Sequence, residues 1–218
     1  MAETVQFPEP LLARRLFSGT EIAWLWLIVR LWLGWEWLVA GWRKTVGGNL
    51  TWRIWDWGKA EYSLGGDGDI GWISSGIPEG SDVVVEVGDA VAGLARTAIA
   101  ASEGPAPDVA YGWYVNFLEW VEVTGHGFIG PLVAFSELII GLLLIVGAFT
   151  GLAAFGGAVL NFSFMFAGTS GANPAMVLIS LLLIMAWRNA GWLGFDRYLL
   201  PRFGVPWRRG TIQSEIPF

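Results

Sequence analysis

Three ionisable side chains stand inside stretches that are otherwise apolar: Arg30 and Glu36 in the run 22–42, and Glu137 in the run 128–149. A charge near the middle of a bilayer costs about 2.5–3.5 kcal/mol on insertion scales, so it turns toward a bundle interior and finds a partner. Arg30 and Glu36 are six residues apart and share a helix face poorly, which makes Arg30 with Glu137 across helices the expected pair. Two kinds of chemistry fit such residues. One is structural, an Arg–Glu pair that fixes helix register. The other is a cavity that takes a polar headgroup such as that of a quinone, or that passes on a proton. His126, the single histidine, precedes the run 128–149 and is the one side chain with an unperturbed pKa near neutrality. It is either an ordinary wet residue or a site of proton exchange beside a quinone. Arg30, Glu36, Glu137 and His126 are thus the candidate quinone or polar-cavity residues. Asn161 lies in a third apolar run, where an interhelical hydrogen bond is its ordinary use.

These residues need helices to position them. Hydrophobic residues make up 54% of the chain and charged residues 15%, and mean hydropathy is +0.52. A soluble domain is seldom so apolar, and the charges cluster between long apolar segments, as in a membrane bundle. The expected architecture is all-α, a four-transmembrane-helix bundle. Its parts are an N-terminal segment 1–21, spans at 22–42, 128–149, 150–169 and 173–191, and a basic tail 192–218. A large extracytoplasmic loop, 43–127, separates the first two spans. Within that loop, Asp82 to Ala101 reads as a helix capped by Ser81. Val109 to Val123 reads as an interfacial amphipathic helix, with Trp113, Phe117 and Trp120 on one face. Thr150-Gly151 makes a turn so short that the flanking spans must be antiparallel neighbours. Asn173 followed by Pro174 reads as an N-cap and first helical residue. Gly147 with Gly151, and Ala153 with Gly157, are spaced for close helix packing.

The 15 tryptophans suit membrane–water interfaces, and most of those in 22–42 are expected to face lipid. Four spans put both termini on one side, with Arg14, Arg15, Arg188, Arg197, Arg202, Arg208 and Arg209. The loop carries five cations against twelve acids. The expected location is therefore the cell membrane, multi-pass, with both termini cytoplasmic. The chain has no cysteine and one histidine, which excludes Fe–S clusters, thiolate metal sites and a haem held between two histidines. No metal site and no covalent cofactor are expected, and nothing suggests nucleic-acid binding. The lipid bilayer is one partner; other membrane subunits or further copies of the chain are the others.

Arg30-x3-Gly34, then Gly41-Trp42-Arg43-Lys44, resembles the first-span signature of the DoxX/DoxD-like membrane proteins. Glu137 to Gly141, followed by three leucines, resembles the glutamate–glycine motif of their second span. Asn173-Pro174, the run Ala186 to Gly191 and the run Asp196 to Pro201 resemble their last span and its exit. Gly34, Gly41, Lys44, Gly141, Asn161, Asn173 and Pro174 are the corresponding structural positions. The resemblance covers the first span and most of 111–201. It implies a redox-linked membrane protein. DoxD-like members are associated with thiosulfate:quinone oxidoreductase, which passes electrons from thiosulfate to a membrane quinone and forms tetrathionate. DoxX-like members are associated with respiratory or oxidative-stress assemblies.

Two readings stay open. The chain is a quinone-linked oxidoreductase subunit, or it is a non-catalytic accessory subunit of a larger respiratory complex. A transporter has little support without a repeat or broken helices, and neither a P-loop nor a dinucleotide fingerprint is present.

Overall fold

The computed structural model describes residues 10–45, 50–52, 60–62, 95–96, 98–100, 102, 111–168 and 171–203. The architecture is all-α; beside its helices the described residues hold one antiparallel pair of three-residue strands, β1 (Leu50–Trp52) and β2 (Ala60–Tyr62). Four principal helices carry the fold: α2 (Ala23–Thr45), α4 (His126–Val146), α5 (Thr150–Phe166) and α6 (Asn173–Met185). Shorter ones flank them: α1 (Leu11–Ser18), α3 (Gly112–Trp120), α7 (Trp187–Ala190) and α8 (Asp196–Leu199). Two helices are long and apolar enough to cross a membrane, Thr20–Trp42 and Gly127–Val146; Thr150–Phe166 and Asn173–Met185 are apolar but shorter. Most of the expected loop 43–127, Ser81 and most of the expected helix 82–101 lie outside the described residues.

The most extensive packing is α2 against α4, followed by α5 against α6. Glycines set the α2–α4 crossing. A Cβ on Gly41 would collide with the backbone of Leu138, and one on Gly141 with the backbone of Leu38. A Cβ on Gly34 would lie 3.0 Å from the Ile145 nitrogen. The two helices are therefore antiparallel, with backbones nearly touching, the geometry that small residues permit. Gly34, Gly41 and Gly141, expected as structural positions, all sit on this crossing. The apolar core lies between α2, α4, α5 and α6 and includes Trp26, Leu33, Trp37, Leu144, Ala154 and Leu183. On α5 the buried residues are Thr150, Ala153, Ala154, Gly157, Ala158 and Asn161, one helical face of small side chains.

Several element boundaries differ from expectation. The N-terminal segment is not plain coil: α1 folds back on the bundle, where the Trp26 indole N–H donates to the Leu16 carbonyl at 2.7 Å. Asn189 Nδ2 donates to the carbonyls of Leu16 and Gly19. The helix after Tyr111 does not stop before the second apolar run. It passes through a π-helical turn, Val121–Gly125, straight into α4. Trp113, Phe117 and Trp120 form its exposed side, while Tyr114, Leu118 and Val121 pack on Ala95, Ala98 and Ala167. Asn173 is the first residue of α6 rather than its cap. Ala172 holds the cap position, and Pro174 follows Asn173 in the first turn. The run expected at 173–191 is split into α6 and the short α7.

Candidate functional site

Burial on α2 recurs at Ala23, Trp26, Arg30, Leu33, Trp37 and Gly41, the spacing of one helical face. That face carries two polar centres at opposite ends of the bundle.

The first is built around Arg30, which is 1% exposed. Its guanidinium donates through Nη1 to the Leu144 carbonyl at 2.9 Å and through Nη2 to the Leu193 carbonyl at 3.1 Å. It thus takes the orphan carbonyls at the C-terminal end of α4, where a cation is favoured. The guanidinium packs on Gly147, whose φ of +70° ends α4 in the left-handed conformation. The fully buried Asp196 lies close enough to Arg30 to act on it as the neighbouring negative charge. Asp196 also accepts the backbone N–H groups of Phe149 and Thr150, at 2.9 Å for Thr150, and so caps the start of α5. Its own N–H donates to the Gly147 carbonyl at 2.7 Å. The expected pairing of Arg30 with Glu137 is therefore corrected. The guanidinium lies at residue 147, ten residues or about 15 Å along the helix from Glu137. Register decides this: Gly41 opposite Leu138 puts Glu137 level with the far end of α2.

The second centre is a cavity of about 530 Å³ at that far end. Small-molecule sites fall within this range of volumes. Every principal helix lines it: α2 with Glu36, Trp37 and Ala40; α4 with Val133, Ser136 and Glu137; α5 with Leu160 and Asn161; α6 with Asn173 and Met176. Tyr114, Phe117 and Leu118 of α3 close one wall. The Tyr114 hydroxyl donates to the Ser163 carbonyl at 2.6 Å, which ties α3 to α5, and burial pushes that hydroxyl above its ordinary pKa.

Polar residues of all four principal helices line this cavity. Glu137 is 1% exposed and Glu36 is half-buried. Asn161 is fully buried, and neither its Nδ2 nor its Oδ1 has a hydrogen-bond partner. The indole nitrogen of Trp37 is likewise buried and unpaired. A Cβ on Gly157 would lie 2.9 Å from that nitrogen, and Asn161 is one helical turn further on. Glycine at 157 thus leaves room for the indole nitrogen against α5, one turn from Asn161. Leaving a buried donor or acceptor unmade costs about 1–3 kcal/mol, and three such atoms belong to two residues that line this one cavity.

Of the candidate residues in the sequence, Glu36, Glu137, Asn161 and Asn173 converge on the cavity. Arg30 belongs to the opposite end. Gly34, Gly41 and Gly141 set the helix crossing, and Pro174 opens α6. The side chains of His126 and Lys44 lie outside the described residues. Sequence spacing does not single out Trp37, Asp196 or Asn189. Trp37 is legible by its place on the Arg30 face, seven residues on, but it stands among six tryptophans. No protein-family model, curated protein or solved structure matches the chain.

Proposed function

We propose that the chain is a DoxX/DoxD-like membrane subunit of a redox or respiratory system and that its cavity receives the headgroup of a membrane quinone, in a thiosulfate:quinone oxidoreductase-like setting. The observation that carries this reading is the set of unpaired buried atoms of Asn161 and Trp37, two residues that line, together with Glu137, a cavity bounded by all four principal helices.

The membrane setting is supported by more than helix length. Large apolar side chains stand exposed on every principal helix, among them Ile28, Leu142, Leu152, Phe155, Leu178 and Leu181. Surface of this kind on all sides of a bundle suits lipid. In the proposed topology the four helices span the membrane, with both termini and the Arg30–Asp196 centre toward the cytoplasm. The cavity then lies in the outer half.

The residues present fit a quinone headgroup. Trp37 and Asn161 offer N–H donors to a ring oxygen, Glu36 and Glu137 offer carboxylates, and Leu160, Met176, Tyr114 and Phe117 offer an apolar slot for the ring. A quinone bound there supplies the acceptor for two electrons and two protons. Glu137 and Glu36 stand where a proton is held or passed on. The chain has no cysteine, so thiosulfate sulfur is not carried on it as a thiol adduct, and electrons arrive directly or from a partner subunit.

The test is quinone content and binding. Purified in mild detergent, the protein should carry lipid-extractable quinone or bind a short-tailed benzoquinone, and Glu137→Gln with Asn161→Leu should weaken that binding by about tenfold or more. Protein that neither carries nor binds quinone would sink the proposal. A second reading, an accessory subunit without catalysis, draws on the outward-facing groove formed by Trp113, Phe117, Phe162 and Phe166. Such an aromatic face suits a neighbouring membrane subunit. Native mass measurement after gentle extraction distinguishes it: a heteromeric assembly with no quinone favours this second reading.

A further inference from the structure

The unpaired atoms of Trp37 and Asn161, which both line the cavity, have a definite hydrogen-bond sense. Trp37 Nε1–H is a donor, Asn161 Nδ2 is a donor, and Asn161 Oδ1 is an acceptor. All three are buried, and the Gly157 contact places the indole nitrogen one turn from Asn161 on the same face of α5. The group that completes such a set on one atom accepts two hydrogen bonds and donates one. A hydroxyl does this. A carbonyl oxygen accepts from both donors but leaves Asn161 Oδ1 unmade.

We propose that Trp37 and Asn161 form a hydroxyl-recognising subsite, and that the cavity therefore holds the reduced, quinol form of its ligand more tightly than the oxidised form. The inference rests on the quinone reading above and adds to it the redox state the site prefers. In the bound quinol one ring hydroxyl accepts from Trp37 and Asn161 and donates to Asn161 Oδ1. In the bound quinone the same ring position carries no hydrogen, and the buried amide oxygen stays unpaired. A buried acceptor left unmade corresponds to about tenfold in affinity or more. Tighter binding of the reduced form raises the potential of the bound couple above that of the free couple. A tenfold preference raises it by about 30 mV for two electrons. The site thus draws electrons from a donor and releases its reduced product slowly.

The experiment uses the full chain in detergent and calorimetric titration with three probes: a decyl-benzoquinone, the corresponding quinol kept reduced under anaerobic conditions, and the dimethyl ether of that quinol. The ether keeps the ring and both acceptor oxygens and carries a methyl group in place of each hydroxyl hydrogen, so it cannot donate. The expected result is quinol bound about tenfold or more tightly than quinone, with the ether no tighter than the quinone. Asn161→Leu should bring the quinol down toward the quinone, while Trp37→Phe should weaken both forms by a similar factor and leave their ratio unchanged. Quinone bound as tightly as quinol, or ether as tightly as quinol, would overturn the subsite while leaving a quinone site in place. If no probe binds at all, the quinone reading fails and the subsite fails with it. The comparison of the three probes on the unaltered protein decides the matter even where a variant does not fold.

Discussion

Arg30 shows what a buried charge does when its partners are backbone atoms. Its Nη atoms hold the carbonyls of Leu144 and Leu193, and its charge faces Asp196, which itself caps α5. Removing one partner strands the others. Arg30→Leu leaves the buried Leu144 and Leu193 carbonyls without their donor and should destabilise the bundle by about 1–3 kcal/mol. Unfolding in mixed micelles followed by tryptophan fluorescence reads this. Stability within experimental error of the unaltered protein would show that the contacts contribute nothing. Asp196→Asn keeps an acceptor for one of the two backbone N–H groups and should cost less than Arg30→Leu. Gly41 and Gly141 have a different sensitivity. A single methyl at either position meets backbone, which cannot turn aside as a side chain can. Gly141→Ala should therefore force α2 and α4 apart at a cost of about 1–3 kcal/mol. Gly127→Ala, where a Cβ would meet open space, is the control and should change little.

Among the elements, the π-helical turn Val121–Gly125 has the clearest consequence. It adds one residue to a turn between α3 and α4 and so sets the rotation of α3 about its axis. That rotation points Tyr114, Leu118 and Val121 inward and leaves Trp113, Phe117 and Trp120 outside. Deleting Val123, which is exposed, should restore an α-helical turn and rotate α3 by about 100°. The Tyr114–Ser163 hydrogen bond would then be lost, and backbone amides of 112–120 should exchange with solvent faster. Exchange rates unaltered by the deletion would mean that α3 is positioned by something else. The turn is not announced by the spacing of Val121–Gly125; its Gly125 packs directly on the Trp120 ring, and Val121 packs in the cluster with Ala95, Ala98 and Ala167. The opposite holds for the small-residue face of α5 and the glycines of α2 and α4. Their types and spacing alone announce close packing. What spacing does not reveal is which glycine meets which backbone. That missing register is why spacing sets Arg30 against Glu137 rather than against the end of α4. The cavity residues Glu36, Glu137, Asn161 and Asn173 are legible because polar groups are costly in apolar runs. Trp37 is harder to see, because an indole is at home in such a run and only an unpaired nitrogen betrays it.

For the molecule as a whole, the absence of cysteine turns topology into a clean measurement. Single cysteines can be introduced with no background thiols. With the proposed orientation, Val123→Cys should react with an impermeant maleimide in intact cells, while Arg202→Cys should react only after permeabilisation. The reverse pattern would invert the bundle and move the cavity to the inner half of the membrane. The Arg30–Asp196 centre bears on how such a bundle can move. It joins α2, α4, α5 and the segment after α7 at one end, by hydrogen bonds that do not slide. Rods joined by hydrogen bonds at one tip move least there. The cavity lies toward the other tip, so under the proposed function a long-tailed ligand would enter between helices there while the joint at Arg30 and Asp196 stays shut.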